Sequence, residues 1–332
     1  MRLGTPVIHF LTLLAIMTPL AGVSAAIVWA MVKRGPIDRP NARSSHTNPV
    51  PKGGGLGPAC VFLAVMGLSA WYHPHSPTLP GLLGGALIIG IMALLDDLYN
   101  LPFTIKLAAQ SAAALVAIAS GLQVSSIGDV PLGVLGPVAT FCWILYVTNA
   151  VNFMDGLNGL AAGTCAIAAF ALALAPGSAS EEAGLVLAGG LLGFLPFNYP
   201  RARIFLGDIG SQFCGFTLAV LAVSELQQDT PGVWVVPLTL LVLLFDVGVT
   251  LVRRLLARER VTDAHRGHCY QLLHRTGVPA VWISAGVWAM AGWGAGWAIG
   301  GPWWAAVPAA LAPPVAWTVW AWKRARARLE TW

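Results

Sequence analysis

Long apolar runs recur along the whole chain, and this recurrence restricts its fold more than any other feature. We count about eleven of them. They lie near 7–32, 56–72, 81–95, 105–121, 134–148, 159–175, 183–197, 211–224, 233–252, 280–300 and 302–322. A helix needs about 20 apolar residues to cross a bilayer. The runs therefore predict an all-α polytopic integral membrane protein with about eleven transmembrane helices, folded as a single domain over residues 1–332.

The composition agrees with a membrane protein. Hydrophobic residues make up 57% of the chain and charged residues only 10%, with a mean hydropathy of +0.72, whereas soluble domains carry about 25% charged residues. The net charge of +5 is compatible with a nucleic-acid partner, but the distribution of the charge argues against one. We therefore expect the bilayer, and no nucleic acid, as a partner.

Basic residues follow the first, third, seventh, ninth and eleventh apolar runs, and none follows an even-numbered run. Arg2 is the exception, since it falls on the other side of the predicted membrane. Because Lys and Arg are enriched in cytoplasmic loops, the pattern predicts an outside N-terminus and a cytoplasmic C-terminus. The predicted cytoplasmic segments lie near 33–55, 96–105, 149–158, 198–211 and 253–279.

One of these segments, Asn149 to Gly159, is unusually polar for a connection between two apolar runs. Asn149, Asn152 and Asp155 recur every three residues, so they could share one face of a helical turn. We interpret the segment as a polar loop in which Asp155 binds a metal or acts as a base, and in which the amides hold sugar or phosphate oxygens. The alternative is an ordinary loop, since Asn and Gly are common loop residues.

Two further acidic motifs suggest a divalent cation. The adjacent carboxylates of Asp96 and Asp97 repel each other, and a nearby cation would relieve both; Mg²⁺ suits such oxygen ligands. In Gly207–Ser211, Asp208 lies between glycines at the start of an apolar run, where helix amides favour phosphates. The alternatives are a hydrated helix end for the pair and a helix cap for Asp208.

The remaining polar motifs are basic. His265, Arg266 and His268 could donate to the oxygens of a diphosphate, although solvated loop histidines are the alternative. Arg43 to His46, followed by Lys52 and a run of three glycines, offers charge and amides to an anion. Asp246 stands alone inside an apolar run; an arginine partner and a place in the site are both open.

Taken together, these motifs resemble the polyprenyl-phosphate N-acetylhexosamine-1-phosphate transferases. That family includes the enzymes that initiate O-antigen synthesis and the phospho-MurNAc-pentapeptide translocase. The resemblance extends from about Pro36 to Gly277. It is carried by Arg43-Ser-Ser-His46 with Gly53-Gly-Gly55, Asp96-Asp97, Asn152-Phe-Met-Asp-Gly156, Phe205-Leu-Gly-Asp-x-Gly-Ser211 and His265-Arg-x-His268.

The resemblance implies transfer of a sugar 1-phosphate from a UDP-N-acetylhexosamine to undecaprenyl phosphate, with release of UMP. It also implies Mg²⁺, with Mn²⁺ as a possible substitute, a bacterial inner-membrane location and, as one possible assembly, a homodimer. The implied catalytic residues are Asp96, Asp97 and Asp155, and the implied metal ligands are Asp208, Asn152 and Asp155. The implied substrate-binding residues are Asn149, Asn152, Lys106, His265, Arg266, His268, Arg43, His46 and Lys52.

The chain departs from the family pattern at two places. An Asp-Gly-x-Asp-Gly form reads Asp155-Gly-Leu-Asn158-Gly here, and the consecutive histidines of the translocase are replaced by His265-Arg-Gly-His268. Both departures favour a surface-glycan initiator over the translocase. A secondary transporter and a membrane scaffold are the alternatives of another class. The enzyme hypothesis requires Asp97, Asp155 and Asp208 to share one pocket.

Overall fold

The computed structural model describes residues 5–38, 48–74, 76, 78–127, 130–260 and 265–329. Within these ranges the fold is nearly all α, as predicted. The helices are α1 Thr5–Arg34, α2 Leu56–Tyr72, α3 Leu79–Tyr99, α4 Phe103–Ala119, α5 Leu135–Phe153, α6 Leu160–Leu174, α7 Glu181–Asn198, α8 Gly207–Gln227, α9 Val235–Thr239, α10 Leu241–Leu256, α11 Cys269–Arg275, α12 Ala280–Gly300 and α13 Trp303–Arg328. Two short antiparallel hairpins pair β1 (Ile37–Asp38) with β2 (Val50–Pro51) and β3 (Ser126–Ile127) with β4 (Val130–Pro131).

Each predicted apolar run coincides with one helix or with a bent helix pair. The bent pair is Pro231–Thr239 with Leu241–Leu256, and its two parts meet at 54°. Among the described residues, three helices are long and apolar enough to cross a membrane, or four if the bent pair is one span. They are His9–Arg34, Leu79–Tyr99 and Gly207–Gln227. The chain is a multi-pass membrane protein, and the number of its crossings stays a prediction.

Helix α8 lies at the centre of the bundle, where it contacts α2, α3, α5 and α6. Its sequence explains this position, since a helix that is apolar on every side can be buried on every side. Phe213 and Phe216 are fully buried, and the ring of Phe213 packs edge-on against Phe62 of α2 at 5.6 Å. The second and third turns of α8 are therefore packed inside the bundle.

The start of α2 and the start of α8 approach each other through glycines. A Cβ on Gly55 would overlap the Cα of Gly210. The amide of Gly54 donates to the Phe205 carbonyl at 2.9 Å, and the amide of Gly55 donates to the Leu206 carbonyl at 2.8 Å. The anion site predicted at the three glycines is therefore wrong for these two amides, because both are already hydrogen-bonded to backbone.

Close packing at Gly55 predicts that Gly55→Ala destabilises the protein by about 1–3 kcal/mol, the usual cost of overpacking. Gly67 lies within α2, the helix that Gly55 precedes, and has no atom within 4 Å of an added Cβ, so Gly67→Ala is the control. We expect Gly67→Ala to be neutral or slightly stabilising. Thermal unfolding of both purified variants in detergent measures the difference, and equal melting temperatures would contradict the packing argument.

Candidate active site

A polar cleft of about 560 Å³ opens at one end of the helix bundle. The C-terminal ends of α3, α5 and α7 and the N-terminal ends of α6 and α8 meet there. Its lining residues are Asp38, Asn48, Val50, Lys52, Asp97, Asn152, Asp155, Gly156, Leu157, Asn158, Asn198, Arg201, Ala202, Phe205, Leu206, Gly207, Asp208, Gln271, His274 and Ala280. Asp97, Asp155 and Asp208 thus line a single cleft, as the enzyme hypothesis requires.

Asp97 caps α8 from the last turn of α3. Its two carboxylate oxygens accept the amides of Asp208 at 3.1 Å and Ile209 at 3.2 Å. The Nζ of Lys52 lies 3.7 Å from Asp97 Oδ1. A carboxylate at a helix N-terminus satisfies amides that have no partner within the helix and interacts favourably with the helix dipole. Asp97 therefore fixes where Asp208 enters the cleft.

Gly207 has φ +77°, a left-handed conformation that favours glycine, and a Cβ there would lie 2.5 Å from Asp97 Oδ2. The residue before Asp208 is therefore constrained both by its backbone angle and by the carboxylate that caps the helix.

The ammonium group of Lys106 bridges Asp208 and Asp96. The Nζ of Lys106 lies 2.7 Å from Asp96 Oδ2 and 3.2 Å from Asp208 Oδ2. Asn152 donates to the other oxygen of Asp208 at 3.1 Å, and Gln212 donates to Oδ2 at 2.8 Å. Lys106 therefore offsets one negative charge of Asp96 and Asp208, and its 2.7 Å distance to Asp96 is typical of a strong, charge-assisted hydrogen bond.

Behind Asp208, side-chain amides form a buried network. Gln110 of α4 donates to Gln212 of α8 at 2.9 Å, and Asn149 of α5 donates to Gln110 at 2.8 Å. Helix α5 continues to Phe153, so Asn149 and Asn152 lie on its last turns, where the sequence predicted a loop. Asn149 acts within this network and does not line the cleft among the described residues.

Asp155 has an exceptional environment. Its carboxylate has no hydrogen-bond or ion-pair partner among the described residues. Burial raises the pKa of Asp155 well above its ordinary value, and the negative charges of Asp208 and Asp97 raise it further. The carboxylate faces the cleft in an electrostatic environment that favours an added cation.

The side chains near Asp155 fit a hard divalent cation. Asp155 and Asp208 supply carboxylates on the same cleft, and Asn152 supplies an amide oxygen. Within the described ranges, no group of three His, Cys, Asp or Glu side chains could hold a metal. That finding is compatible with Mg²⁺, which commonly uses one or two carboxylates and completes its shell with water and substrate phosphates.

A buried asparagine fixes the turn that carries Asp155 and Asn158. Asn198, at the end of α7, accepts the Gly159 amide at 2.5 Å and donates to the Ile204 carbonyl at 2.9 Å. Gly159 has φ +72° and packs against Tyr199 and Trp288. A single side chain therefore joins the turn before α6 to the loop before α8.

The basic motifs are placed differently. Lys52 lines the cleft, whereas His265, Arg266 and His268 are absent from its described lining. Arg43 and His46 lie outside the described residues. His268 packs beside the Asn149–Gly159 segment, with its ring 6.3 Å from that of Phe153. Contact between these histidines and a diphosphate stays a prediction.

His265 is neutral at neutral pH. Burial, together with the charges of His268, Arg254 and Arg253, lowers the pKa of His265 to about 4. Its Nδ1 accepts the Gly267 amide at 3.2 Å, so the proton of the neutral ring lies on Nε2. His265 can therefore donate one hydrogen bond without carrying charge.

The structure adds cleft residues that were not among the predicted site residues. Asn198, Arg201, Gln271 and His274 line the cleft, and Asp246 pairs with His268. The signal available in the sequence was a polar side chain inside an apolar run, since such residues are costly unless they are paired. By that criterion Gln110, Gln212 and Asp246 were all identifiable as members of buried networks.

The fold and the site define a class: a multi-pass helical membrane protein with a carboxylate-rich cleft at its helix ends. The model of glycosyl transferase family 4 matches residues 79–225, which include Asp96, Asp97, Asp155 and Asp208. Curated relatives match more of the chain, and several of them are about 30% identical to it.

The chain is 30% identical to the Bacillus subtilis protein named "Probable undecaprenyl-phosphate N-acetylglucosaminyl 1-phosphate transferase", over 76% of this chain and 75% of the relative. It is 31% identical to the decaprenyl-phosphate N-acetylglucosaminephosphotransferase of Mycobacterium leprae, over 75% and 74%. It is 27% identical to the phospho-N-acetylmuramoyl-pentapeptide-transferase of Enterococcus faecalis, over 60% and 70%. The chain belongs to glycosyl transferase family 4.

The contact between Gly207 and Asp97 predicts that Gly207→Ala destabilises the protein more than its backbone angle alone requires. Gly177 has a similar φ of +73° but only a distant contact at 4.0 Å, so Gly177→Ala measures the backbone cost alone. We expect a cost about 1–3 kcal/mol larger at Gly207. Thermal unfolding of both variants tests this, and equal losses would mean that Asp97 accommodates the added methyl.

The raised pKa of Asp155 predicts a pH-dependent stability. Because the native carboxyl holds its proton more tightly than the unfolded one, ionising it at neutral pH costs stability, and this cost disappears as pH falls towards the unfolded pKa of about 4. We expect Asp155→Asn to raise the melting temperature at neutral pH in EDTA, with a gain that shrinks on acidification.

The control for this experiment is Asp229→Asn, at an exposed position, which should give no such pH-dependent gain. Melting curves at several pH values distinguish the two variants. An Asp155→Asn protein that is no more stable than the wild type at neutral pH would contradict the electrostatic account.

Proposed function

We propose that the protein transfers a sugar 1-phosphate from a UDP-N-acetylhexosamine to undecaprenyl phosphate, producing undecaprenyl diphospho-sugar and UMP. The observation that carries this proposal is the carboxylate of Asp155, which has no partner among the described residues and faces the same cleft as Asp208. The names of the relatives indicate the substrate class.

The cleft suits the nucleotide sugar. Its volume lies within the range of small-molecule sites, about 300–1,000 Å³, and Lys52 and Arg201 add positive charge to its lining. Asp155, Asp208 and Asn152 would hold Mg²⁺, with Mn²⁺ as a substitute. The ion would neutralise charge on the diphosphate. Phosphoryl transfer depends mostly on such positioning and charge neutralisation.

We favour direct attack over a covalent aspartyl intermediate. An oxygen of the lipid phosphate attacks the β-phosphorus of the donor, the bond from that phosphorus to the α–β bridging oxygen breaks, and UMP leaves. Asp97 and Asp96 support this geometry in different ways, since Asp97 caps α8 and Asp96 shares Lys106 with Asp208. Trapping of a phosphorylated aspartate would favour the alternative.

An apolar groove provides a place for the polyprenyl chain. It measures about 560 Å³ and lies between α5, α10 and α13. Its lining residues are Tyr146, Leu241, Leu244, Phe245, Gly248, Val249, Val252, Arg253, Leu256 and Trp322. Tyr146 and Asn152 lie on the same helix, so α5 connects the groove to the cleft. Within the lining, Arg253 carries the charge that a lipid phosphate would require.

We further propose eleven membrane crossings with the cleft on the cytoplasmic face of the bacterial inner membrane. The basic residues that follow alternate apolar runs support this orientation. A cleft at the cytoplasmic ends of the helices would be accessible both to a soluble nucleotide and to the phosphate of a membrane lipid.

Initiation of O-antigen or another surface polysaccharide is the role that we favour over the peptidoglycan translocase. The chain lacks consecutive histidines in its His265-Arg-Gly-His268 motif. Its match to the Enterococcus translocase also covers less of this chain than its match to the Bacillus relative. A panel of UDP-GlcNAc, UDP-GalNAc, deoxy-amino sugar donors and UDP-MurNAc-pentapeptide distinguishes these roles.

Asp208→Asn should reduce UMP release by more than about 100-fold, because it removes one charge from the cation site and from the Lys106 bridge. The assay uses purified protein in detergent with UDP-sugar, undecaprenyl phosphate and Mg²⁺. Asp229→Asn, at an exposed position near the far end of α8, is the matched control and should retain wild-type turnover.

Wild-type turnover in a correctly inserted Asp208→Asn protein would remove Asp208 from the site. A wild-type protein that releases no UMP from any donor in the panel, with and without polyprenyl phosphate, would end the proposed function. Uptake of a solute into vesicles in its place would favour the transporter.

A further inference from the structure

The side chain of Tyr270 ties α11 to the turn that carries Asp155. Tyr270 is almost fully buried, and its hydroxyl donates to the Phe153 carbonyl at 3.0 Å. Phe153 ends α5, two residues before Asp155. A Cβ on Gly156 would overlap the same hydroxyl, so the phenol contacts the backbone on both sides of Asp155.

The phenol is built to donate. Burial raises the pKa of Tyr270 far above its ordinary value, and the charges of Asp246 and Asp155 raise it further. The hydroxyl therefore keeps its proton and donates the hydrogen bond to the Phe153 carbonyl, which can act only as an acceptor.

Asp246 holds α11 in place. It lies in α10 with 3% of its surface exposed, and its oxygens accept the amides of Cys269 at 3.0 Å and Tyr270 at 3.4 Å. The Nδ1 of His268 lies 3.2 Å from Asp246 Oδ1. A buried carboxylate is costly unless it is hydrogen-bonded, and here the first turn of α11 supplies the donors.

These contacts form a continuous path from α10 through α11 to the Asp155 turn. Asp246 fixes the backbone of Tyr270, and Tyr270 fixes the backbone beside Asp155. Asp155 itself has no partner to hold its carboxylate among the described residues, so its position depends on the turn that carries it. The same short helix also places Gln271 and His274 in the cleft lining.

We propose that Tyr270 is a positioning residue for Asp155 and that Asp246 anchors Tyr270 by capping α11. The inference rests on the proposed function, in which Asp155 is a ligand of the divalent cation. Neither Tyr270 nor Asp246 belongs to the described lining of the cleft. Partners that orient metal ligands typically contribute about 10–100-fold to metal affinity or activity, so loss of the hydroxyl should weaken cation binding by about 10-fold.

The first test is Tyr270→Phe, which removes only the hydroxyl. Binding of Mn²⁺ to the purified full-length protein is followed by electron paramagnetic resonance without any substrate, and UMP release is measured separately as a function of Mg²⁺. We expect Mn²⁺ affinity to fall about 10-fold and the Mg²⁺ concentration for half-maximal turnover to rise by a similar factor.

Tyr199→Phe is the matched control. The Tyr199 hydroxyl also donates to a backbone carbonyl, that of Val281 at 3.4 Å, but it makes no contact with the Phe153–Gly156 backbone among the described residues. We expect its Mn²⁺ affinity to stay within about twofold of the wild type. Gly156→Ala is a second variant, which displaces the hydroxyl from the opposite side and should give the same loss as Tyr270→Phe.

The double variant Asp246→Asn/Tyr270→Phe tests the path. Residues that act through one route give non-additive effects, whereas independent sites give additive ones. We therefore expect the double variant to lose little more Mn²⁺ affinity than Tyr270→Phe alone. Additive losses would overturn the role of Asp246 as the anchor of Tyr270.

Wild-type Mn²⁺ affinity in folded Tyr270→Phe and Gly156→Ala proteins would overturn the positioning role. This result is distinguishable from failure of the proposed function, because the Mn²⁺ measurement needs neither donor nor lipid. A wild-type protein that binds Mn²⁺ but releases no UMP would end the proposed transferase, while the Mn²⁺ affinities would still decide whether Tyr270 positions Asp155.

Discussion

The carboxylate of Asp97 accepts the first amides of α8, and the cleft depends on this contact. It joins the end of one apolar helix to the start of another, at the point where Asp208 leaves the bundle. A charged cap at a helix end contributes about 0.5–2 kcal/mol, which is small compared with the burial of α8. Its importance is therefore geometric: it sets the direction of α8 and hence the position of its first carboxylate.

Asp96 and Asp97 have different partners because of helix geometry. Neighbouring side chains on a helix point about 100° apart, so the two carboxylates cannot serve one ligand in the same way. One caps α8, and the other binds Lys106 and the Leu101 amide at 2.6 Å. The pair attracts attention in the sequence as a single motif, but in the structure it is two residues with different partners.

The sequence predicted the helices well because apolar runs of membrane length are a strong signal. It also predicted that Asp97, Asp155 and Asp208, which lie at the ends of such runs, would share one cleft, whereas His265, Arg266 and His268 are absent from the described lining. The sequence did not reveal the hydrogen-bond partners of these side chains, because a motif does not show which distant residues the fold brings into contact with it. Asn149 was predicted to contact substrate and lies in an amide network with Gln110, and Asp246 could be matched to α11 only once the fold was known.

The glycine run before α2 illustrates the same point. Glycines beside a lysine are typical of anion sites, but they are also typical of places where two backbones meet. The amides of Gly54 and Gly55 bond to the loop before α8, which explains their presence through packing. Distinguishing the two uses requires knowledge of what lies opposite, and here it is the backbone of Gly210.

The acidic side chains of the site outnumber the basic ones. Three basic side chains, those of Lys52, Lys106 and Arg201, face five carboxyl groups, those of Asp38, Asp96, Asp97, Asp155 and Asp208. Without a divalent ion, a polyanion entering the cleft meets like charge, and its encounter is slowed by repulsion. This imbalance would favour entry of the proposed nucleotide donor together with the proposed divalent ion or after it.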